Sequence, residues 1–204
     1  MPDLNNSDSA IIVLHEIYGI NQHISKVCKY YKMAGFDVIC PDLLNLDVPF
    51  DYDHEELAYE YFMKKVGFEI ALERVRDLII QAKQRYKHVF LLGFSIGATI
   101  AWLCSGEEPI CEGIIGYYGS KIRDYINIIP KCPTLLIFAS EEKSFDVMEL
   151  ACILEKKINV EIHMLYGKHG FSDPFSQKYY EKSDKDAVKL VDRFLKIKVE
   201  LEGS

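Results

Sequence analysis

His88-Val89-Phe90-Leu91-Leu92-Gly93-Phe94-Ser95-Ile96-Gly97-Ala98-Thr99-Ile100-Ala101-Trp102-Leu103 is the stretch on which the reading of this chain turns. An apolar run leads into G-x-S-x-G and a helix-forming run leaves it, the strand–turn–helix setting that a nucleophile elbow requires. A serine at such a turn sits in a strained backbone conformation with its hydroxyl projecting above the sheet. Gly93 and Gly97 are needed because a Cβ at either place would collide with the neighbouring strand or helix. In a chain this long the pentapeptide alone arises by chance roughly one time in twenty, so the flanking elements carry the argument. The rival reading is a plain tight turn.

Outward from this stretch, strand-like and helix-like segments alternate. Ala10 to His15 is a continuous apolar run, as expected of a strand covered on both faces. Asn21 to Met33 predicts a helix stopped at Gly35, and Phe36 to Cys40 a second strand closed by Pro41. Asp53-His54-Glu55-Glu56 has the form of a capping box opening a helical region that passes a break at Gly67 and ends at Arg85. Strands follow at Ile110–Tyr118, Pro133–Phe138 and Val160–Leu165, with helices at Phe145–Lys156 and Phe175–Ile197. The alternation predicts an α/β fold: a mostly parallel sheet of about six or more strands with helices on both faces. With no repeat, low-complexity tract or linker, residues 1–204 are expected to form a single domain.

Composition narrows the function classes. The 204 residues are enough to bury roughly 70 % of the unfolded surface, and the hydrophobic residues, 49 % of the chain, are spread along its whole length. A net charge of -7 offers no footprint for nucleic acid or an anionic membrane. No apolar run reaches the eighteen or so residues of a membrane span, and the polar, acidic N-terminus (Met1 to Asp8) is the opposite of a signal peptide. The six cysteines show no C-x-x-C spacing and read as reduced core thiols of a cytoplasmic protein.

In a parallel sheet, reactive groups belong in the loops at the carboxyl ends of the strands. A serine hydroxyl needs a histidine to take its proton and an acid to orient that imidazole, and α/β-hydrolases supply them in the chain order Ser, Asp or Glu, His. His169 is the expected base: it lies in Gly167-Lys168-His169-Gly170, just past the last strand, in a loop whose glycines suit the presentation of one side chain. The alternative is an exposed loop histidine with no task. The acid must come from Ala139-Ser140-Glu141-Glu142-Lys143-Ser144-Phe145-Asp146. Counting about three residues past the small residue that ends the strand selects Glu142, with Asp146 and Glu141 as alternatives; Asp146 is equally suited to cap the following helix.

His15-Glu16-Ile17-Tyr18-Gly19, Pro41-Asp42-Leu43-Leu44, the elbow and His169-Gly170-Phe171, in that order, resemble the dienelactone hydrolase family over residues 10–197. The resemblance implies a cytosolic, cofactor-free α/β-hydrolase with little or no cap domain. It also implies that Ile17 and Ile96 contribute backbone N–H groups to an oxyanion hole. In thiol-bearing members the glutamate equivalent to Glu16 influences ionisation of the nucleophile. Beside a serine, a structural role in tying down the oxyanion loop weighs equally.

Two departures bear on substrate. The family's type members carry cysteine at the position of Ser95, and they hold a substrate carboxylate with two arginines, which fall near Leu46 and Asp173 here. Neither position is basic, so neutral acyl substrates are expected in place of carboxylated dienelactones, unless a lysine such as Lys121 or Lys168 supplies the charge. Phe50, Tyr52, Tyr59, Tyr61 and Phe62 would line an acyl pocket or form the core face of one helix; the latter is favoured slightly. No zincin helix, EF-hand loop, phosphate loop or Rossmann fingerprint is present. The expectation is a serine hydrolase of a small ester, lactone or thioester, acting on a small-molecule substrate without cofactor or metal. An acyltransferase using the same acyl-enzyme and a non-catalytic binding module of the same fold are the alternatives.

Overall fold

The computed structural model describes residues 7–108 and 111–202. Six strands, β1 (Ser9–Leu14), β2 (Asp37–Ile39), β3 (His88–Phe94), β4 (Gly113–Tyr117), β5 (Thr134–Glu141) and β6 (Val160–Lys168), form one sheet in the order β2-β1-β3-β4-β5-β6. Every neighbouring pair is parallel. The chain steps from β1 to one side for β2 and then to the other side for β3. The loops after β1 and β3 therefore open at a topological switch point, where α/β sheets leave a crevice.

Alternate residues of the central strands feed two cores. Ala10, Ile12, Leu14, Val89 and Leu91 pack with α2 (Glu55–Tyr61), α3 (Gly67–Lys83) and α4 (Ile96–Ser105). Ile11, Val13, Phe90 and Leu92 pack on the opposite face with α1 (Gln22–Met33) and α6 (Glu181–Glu202). A third cluster joins Trp102, Leu136 and Phe138 to α5 (Val147–Leu154). Burying a large apolar side chain contributes about 1.5–3 kcal/mol, so the continuous apolar runs of β1 and β3 are accounted for by burial from both sides. Helices on both faces of a parallel sheet are the architecture expected from the alternation.

Several boundaries differ from expectation. β5 and β6 each run three residues beyond Phe138 and Leu165, because they pair as far as Glu141 and Lys168. The last helix starts at Glu181 rather than Phe175; the intervening residues instead form turns, with Ser176 N–H bonded to Asp173 O and Tyr179 N–H to Ser176 O. The capping box at Asp53–Glu56 does not form. A 3-10 turn (Tyr52–His54) leads directly into α2, and no side chain caps either element. α2 then passes through a π-helical turn (Phe62–Val66) into α3, with Gly67 at φ 68° taking the break. Of the strand expected to open at Ile110, that residue lies outside the described ones, as do residues 1–6 of the polar N-terminus. Among the described residues no helix is long and apolar enough to cross a membrane.

Candidate active site

Ser95 occupies the turn between β3 and α4 at φ 53° and ψ -111°, a conformation that side-chain-bearing residues rarely adopt. The turn is held tight by contact. A Cβ on Gly93 would collide with the Gly97 carbonyl, and one on Gly97 with the Leu14 carbonyl. The Ser95 N–H donates to Tyr117 O at 2.9 Å, tying the elbow to β4.

His169 and Glu142 meet because their strands are paired. Glu141 and Lys168 are register partners at the ends of β5 and β6, and Glu142 and His169 are the next residues along each chain. A register irregularity between Ala139 and Glu141 re-aims the end of β5. As a result His169 Nδ1 lies 2.8 Å from Glu142 Oε1, and His169 Nε2 lies 2.9 Å from Ser95 Oγ. The Glu142 side chain is 5 % exposed and that of His169 27 %. A carboxylate only accepts, so Nδ1 carries the proton and Nε2 is left to accept from the serine hydroxyl. Asp146 is absent from this arrangement. It caps α5, accepting from Met148 N–H at 2.9 Å and Glu149 N–H at 3.1 Å. Glu141 is exposed at the cavity edge.

Ser95, His169, Glu142, Glu16, Ile17 and Ile96 all line one cavity of about 1180 Å³. Ile96 is the first residue of α4, so its N–H has no partner within the helix. The Ile17 N–H is aimed by the other end of its own peptide. The Glu16 carbonyl accepts from Gly19 N–H at 3.2 Å and from His15 Nδ1–H at 2.6 Å. A trans peptide directs its N–H opposite to its C=O, so the Ile17 N–H points away from His15. His15 Nε2 in turn accepts from Leu43 N–H at 3.0 Å. Fully buried, His15 has its pKa pushed down by desolvation, which keeps the ring neutral and able to make both bonds. His15 opens the His15-Glu16-Ile17-Tyr18-Gly19 element, but neither that element nor its place at the end of β1 assigned it this role.

Glu16 is buried and its Oε1 accepts from Tyr118 Oη at 2.8 Å. Leu46 is partly buried against the core, and its N–H donates to Asp42 Oδ2 at 3.0 Å. Asp173 lines the cavity but is only 1 % exposed. It accepts from the Tyr52 hydroxyl and from Phe175 N–H. The five aromatics divide. Tyr52 and Tyr59 line the cavity, Phe62 is fully buried, and Phe50 packs edge-on against Tyr61. The favoured reading of all five as a core face is therefore correct only in part. Lys121 and Lys168 line the cavity as well, together with Lys143. Among the described residues no group of three or more His, Cys, Asp or Glu side chains converges as metal ligands would.

Several known proteins are similar to this chain in sequence or in fold. A Bacillus subtilis (strain 168) protein, YczH, is 42 % identical over 168 residues, covering 81 % of this chain and 82 % of its own. Carboxymethylenebutenolidase 1 of Cupriavidus pinatubonensis is 24 % identical over 192 residues, covering 85 % and 80 %. Among solved structures, a dienelactone hydrolase-like promiscuous phosphotriesterase from metagenomic libraries superposes with a TM-score of 0.70 at 16 % identity, covering 91 % of this chain and 84 % of that one. Est1E of Butyrivibrio proteoclasticus, solved with ferulic acid, gives 0.70 at 12 % identity, covering 98 % and 93 %. Residues 2–198 match the model of one family across almost the whole chain, and this protein belongs to that family of hydrolases, the dienelactone hydrolase family.

Proposed function

We propose that this chain is a serine hydrolase that cleaves a small, neutral ester, lactone or thioester through an acyl-serine intermediate. The observation that carries the reading is the hydrogen-bonded line Ser95 Oγ, His169 Nε2, His169 Nδ1, Glu142 Oε1, at 2.9 and 2.8 Å. His169 takes the hydroxyl proton as Ser95 attacks the acyl carbon. Glu142 stabilises the imidazolium that forms, and the developing oxyanion is met by the Ile17 and Ile96 amides. His169 then gives its proton to the leaving group. Water, deprotonated by the same imidazole, releases the acyl group and restores the serine.

Charge in the cavity favours a neutral substrate. Seven carboxylates line it against four lysines, and two of the lysines are already paired, Lys178 with Glu55 at 3.0 Å and Lys121 with Asp124 at 3.2 Å. The six cysteines are all free thiols, in keeping with a cytoplasmic site of action.

A fluorophosphonate probe tests the assignment. One covalent adduct is expected, mapped to Ser95, and Ser95→Ala should lower esterase turnover by roughly 10⁴-fold or more while leaving the fold intact. An adduct on a thiol, or no adduct, refutes it.

A further inference from the structure

Tyr118 is the residue immediately after β4, and it is fully buried. Its φ of 39° lies in the left-handed region, which a bulky aromatic occupies only where its surroundings hold it there. Those surroundings are specific. The Tyr118 N–H donates to Ile137 O at 2.7 Å. Its hydroxyl lies 2.8 Å from Glu16 Oε1 and 2.8 Å from Ser172 Oγ. Its ring packs with centroids 4.9 Å from the His169 imidazole and 5.5 Å from Phe171.

The phenol has one proton, and a carboxylate can only accept, so that proton goes to Glu16. Ser172 must then donate to the phenolic oxygen. The bonds run in one direction, from Ser172 through Tyr118 to Glu16. Burial pushes the phenol far above its usual range, so the donor is not lost at any working pH.

Three loops are joined here. A second tyrosine hydroxyl, that of Tyr52, bridges the outer parts of two of them at Asn21 and Asp173, but it contacts neither Glu16 nor Ser172, the residues beside Ile17 and close to His169. Glu16 belongs to the loop after β1 and Ser172 to the loop after β6. In the sheet these strands are separated by β3, β4 and β5, so no backbone pairing sets the distance between the loops. Tyr118 comes from β4, between them. We propose that Tyr118 is a positioning residue: by holding Glu16 and Ser172 on one hydroxyl, it registers the Ile17 amide of the oxyanion loop against the His169 imidazole. Glu16 is then a grip on that loop and not a base for the serine. The inference rests on the serine-hydrolase reading above, since it assigns a task to two groups of that machinery.

The test measures kcat and KM for a p-nitrophenyl ester, with the rate of fluorophosphonate labelling at Ser95, in folded variants. Tyr118→Phe keeps the ring and removes the hydroxyl. It should lower kcat and the labelling rate together by roughly ten- to a hundredfold, the range for a lost hydrogen bond to a charged group, with little change in KM. Glu16→Gln keeps an acceptor oxygen and should recover most of the activity that Glu16→Ala loses. The double variant Glu16→Ala/Tyr118→Phe should be little worse than either single, because both remove one link. A merely structural tyrosine would lower Tm and leave kcat below Tm unchanged.

Folded Tyr118→Phe within about threefold of wild-type kcat, or losses that multiply in the double variant, would overturn the proposal. Should Tyr118→Phe not fold, Ser172→Ala and Glu16→Ala remove the two arms separately. Coupled losses then support the proposal and independent ones overturn it. Wild-type protein that fails to label at Ser95 overturns the serine-hydrolase reading and this inference together. Wild type that labels alongside unaffected variants overturns the inference alone.

Discussion

Replacing Glu142 and Asp146 in turn separates two of the three carboxylates the sequence leaves in competition. The Glu142 side chain is 5 % exposed with Oε1 2.8 Å from His169 Nδ1, so its charge acts on the imidazolium with little screening. At an effective dielectric near 20, opposite unit charges about 4 Å apart attract by about 4 kcal/mol, close to a thousandfold in rate. Glu142→Gln retains the shape and loses the charge, and its amide nitrogen competes to face Nδ1–H, which would turn the ring to the wrong tautomer. Turnover should fall by roughly 10² to 10⁴, with little change in KM. Asp146 holds two backbone N–H groups at the start of α5 and touches no member of the triad. Asp146→Ala should therefore cost about 1 kcal/mol of stability, a Tm decrease of roughly 2–4 °C at this chain length, with kcat within about twofold of wild type. Steady-state hydrolysis of a p-nitrophenyl ester and a thermal melt on each variant suffice. If Asp146→Ala loses more turnover than Glu142→Gln, the acid is misassigned and the paired ends of β5 and β6 do not explain the site.

Other expectations follow from burial and charge. Cys104 and Cys132 are buried, with thiols pushed up to about 12 and about 11, chiefly by desolvation. Iodoacetamide near pH 8 should modify exposed Cys152, and also Cys28, whose thiol is acidified by a hydrogen bond with Cys40, while esterase activity is retained; inactivation on alkylation would point to a thiol nucleophile. His15 has a pKa below its usual 6.5, so the folded state resists its protonation. Stability from this site is fully present above about pH 6.5 and is lost as pH falls through the folded value. Urea unfolding from pH 7.5 downward should show that loss, and His15→Gln should flatten it; an unchanged slope would remove His15 as its source. Neutral aryl esters should exceed matched half-esters bearing a carboxylate by roughly ten- to a hundredfold in kcat/KM, and a preference for the anions would show that Lys143 and Lys168 outweigh the acidic wall.

How much was legible beforehand tracks how local each constraint is. The elbow is local: Gly93, Ser95 and Gly97 lie within five residues, and collisions with the Gly97 and Leu14 carbonyls forbid side chains at both glycines. The sheet was legible for a related reason, since strands buried on both faces, such as β1 and β3, show as unbroken apolar runs. The ends of β5 and β6 were not. Exposed Glu161 and Lys168 and half-buried His163 break the apolar pattern of an edge strand, and only pairing through Glu141 and Lys168 defines its length. The same pairing explains why counting from Ala139 selects the carboxylate that meets His169, although the strand continues past that point. The turns before α6 and the π-helical turn at Phe62–Val66 left no comparable signal, because helix-compatible residues fill both.

Asp173 shows what residue type alone misses. Opposite a substrate, an aspartate in place of an arginine reads as an obstacle to anions. In the fold it is 1 % exposed, bonded by Tyr52, and 3.8 Å from the Nδ1 of buried His23. Its direct contact is with the segment leading into α2, which Asn21 also holds through Tyr52 at 3.2 Å. The carboxylate therefore secures the wall that carries Tyr52 and Tyr59. Replacing it with arginine would break the bond to Tyr52 before it created an anion site. A gain of anionic specificity has to be sought at the lysines on the cavity wall, where added positive charge leaves that contact intact.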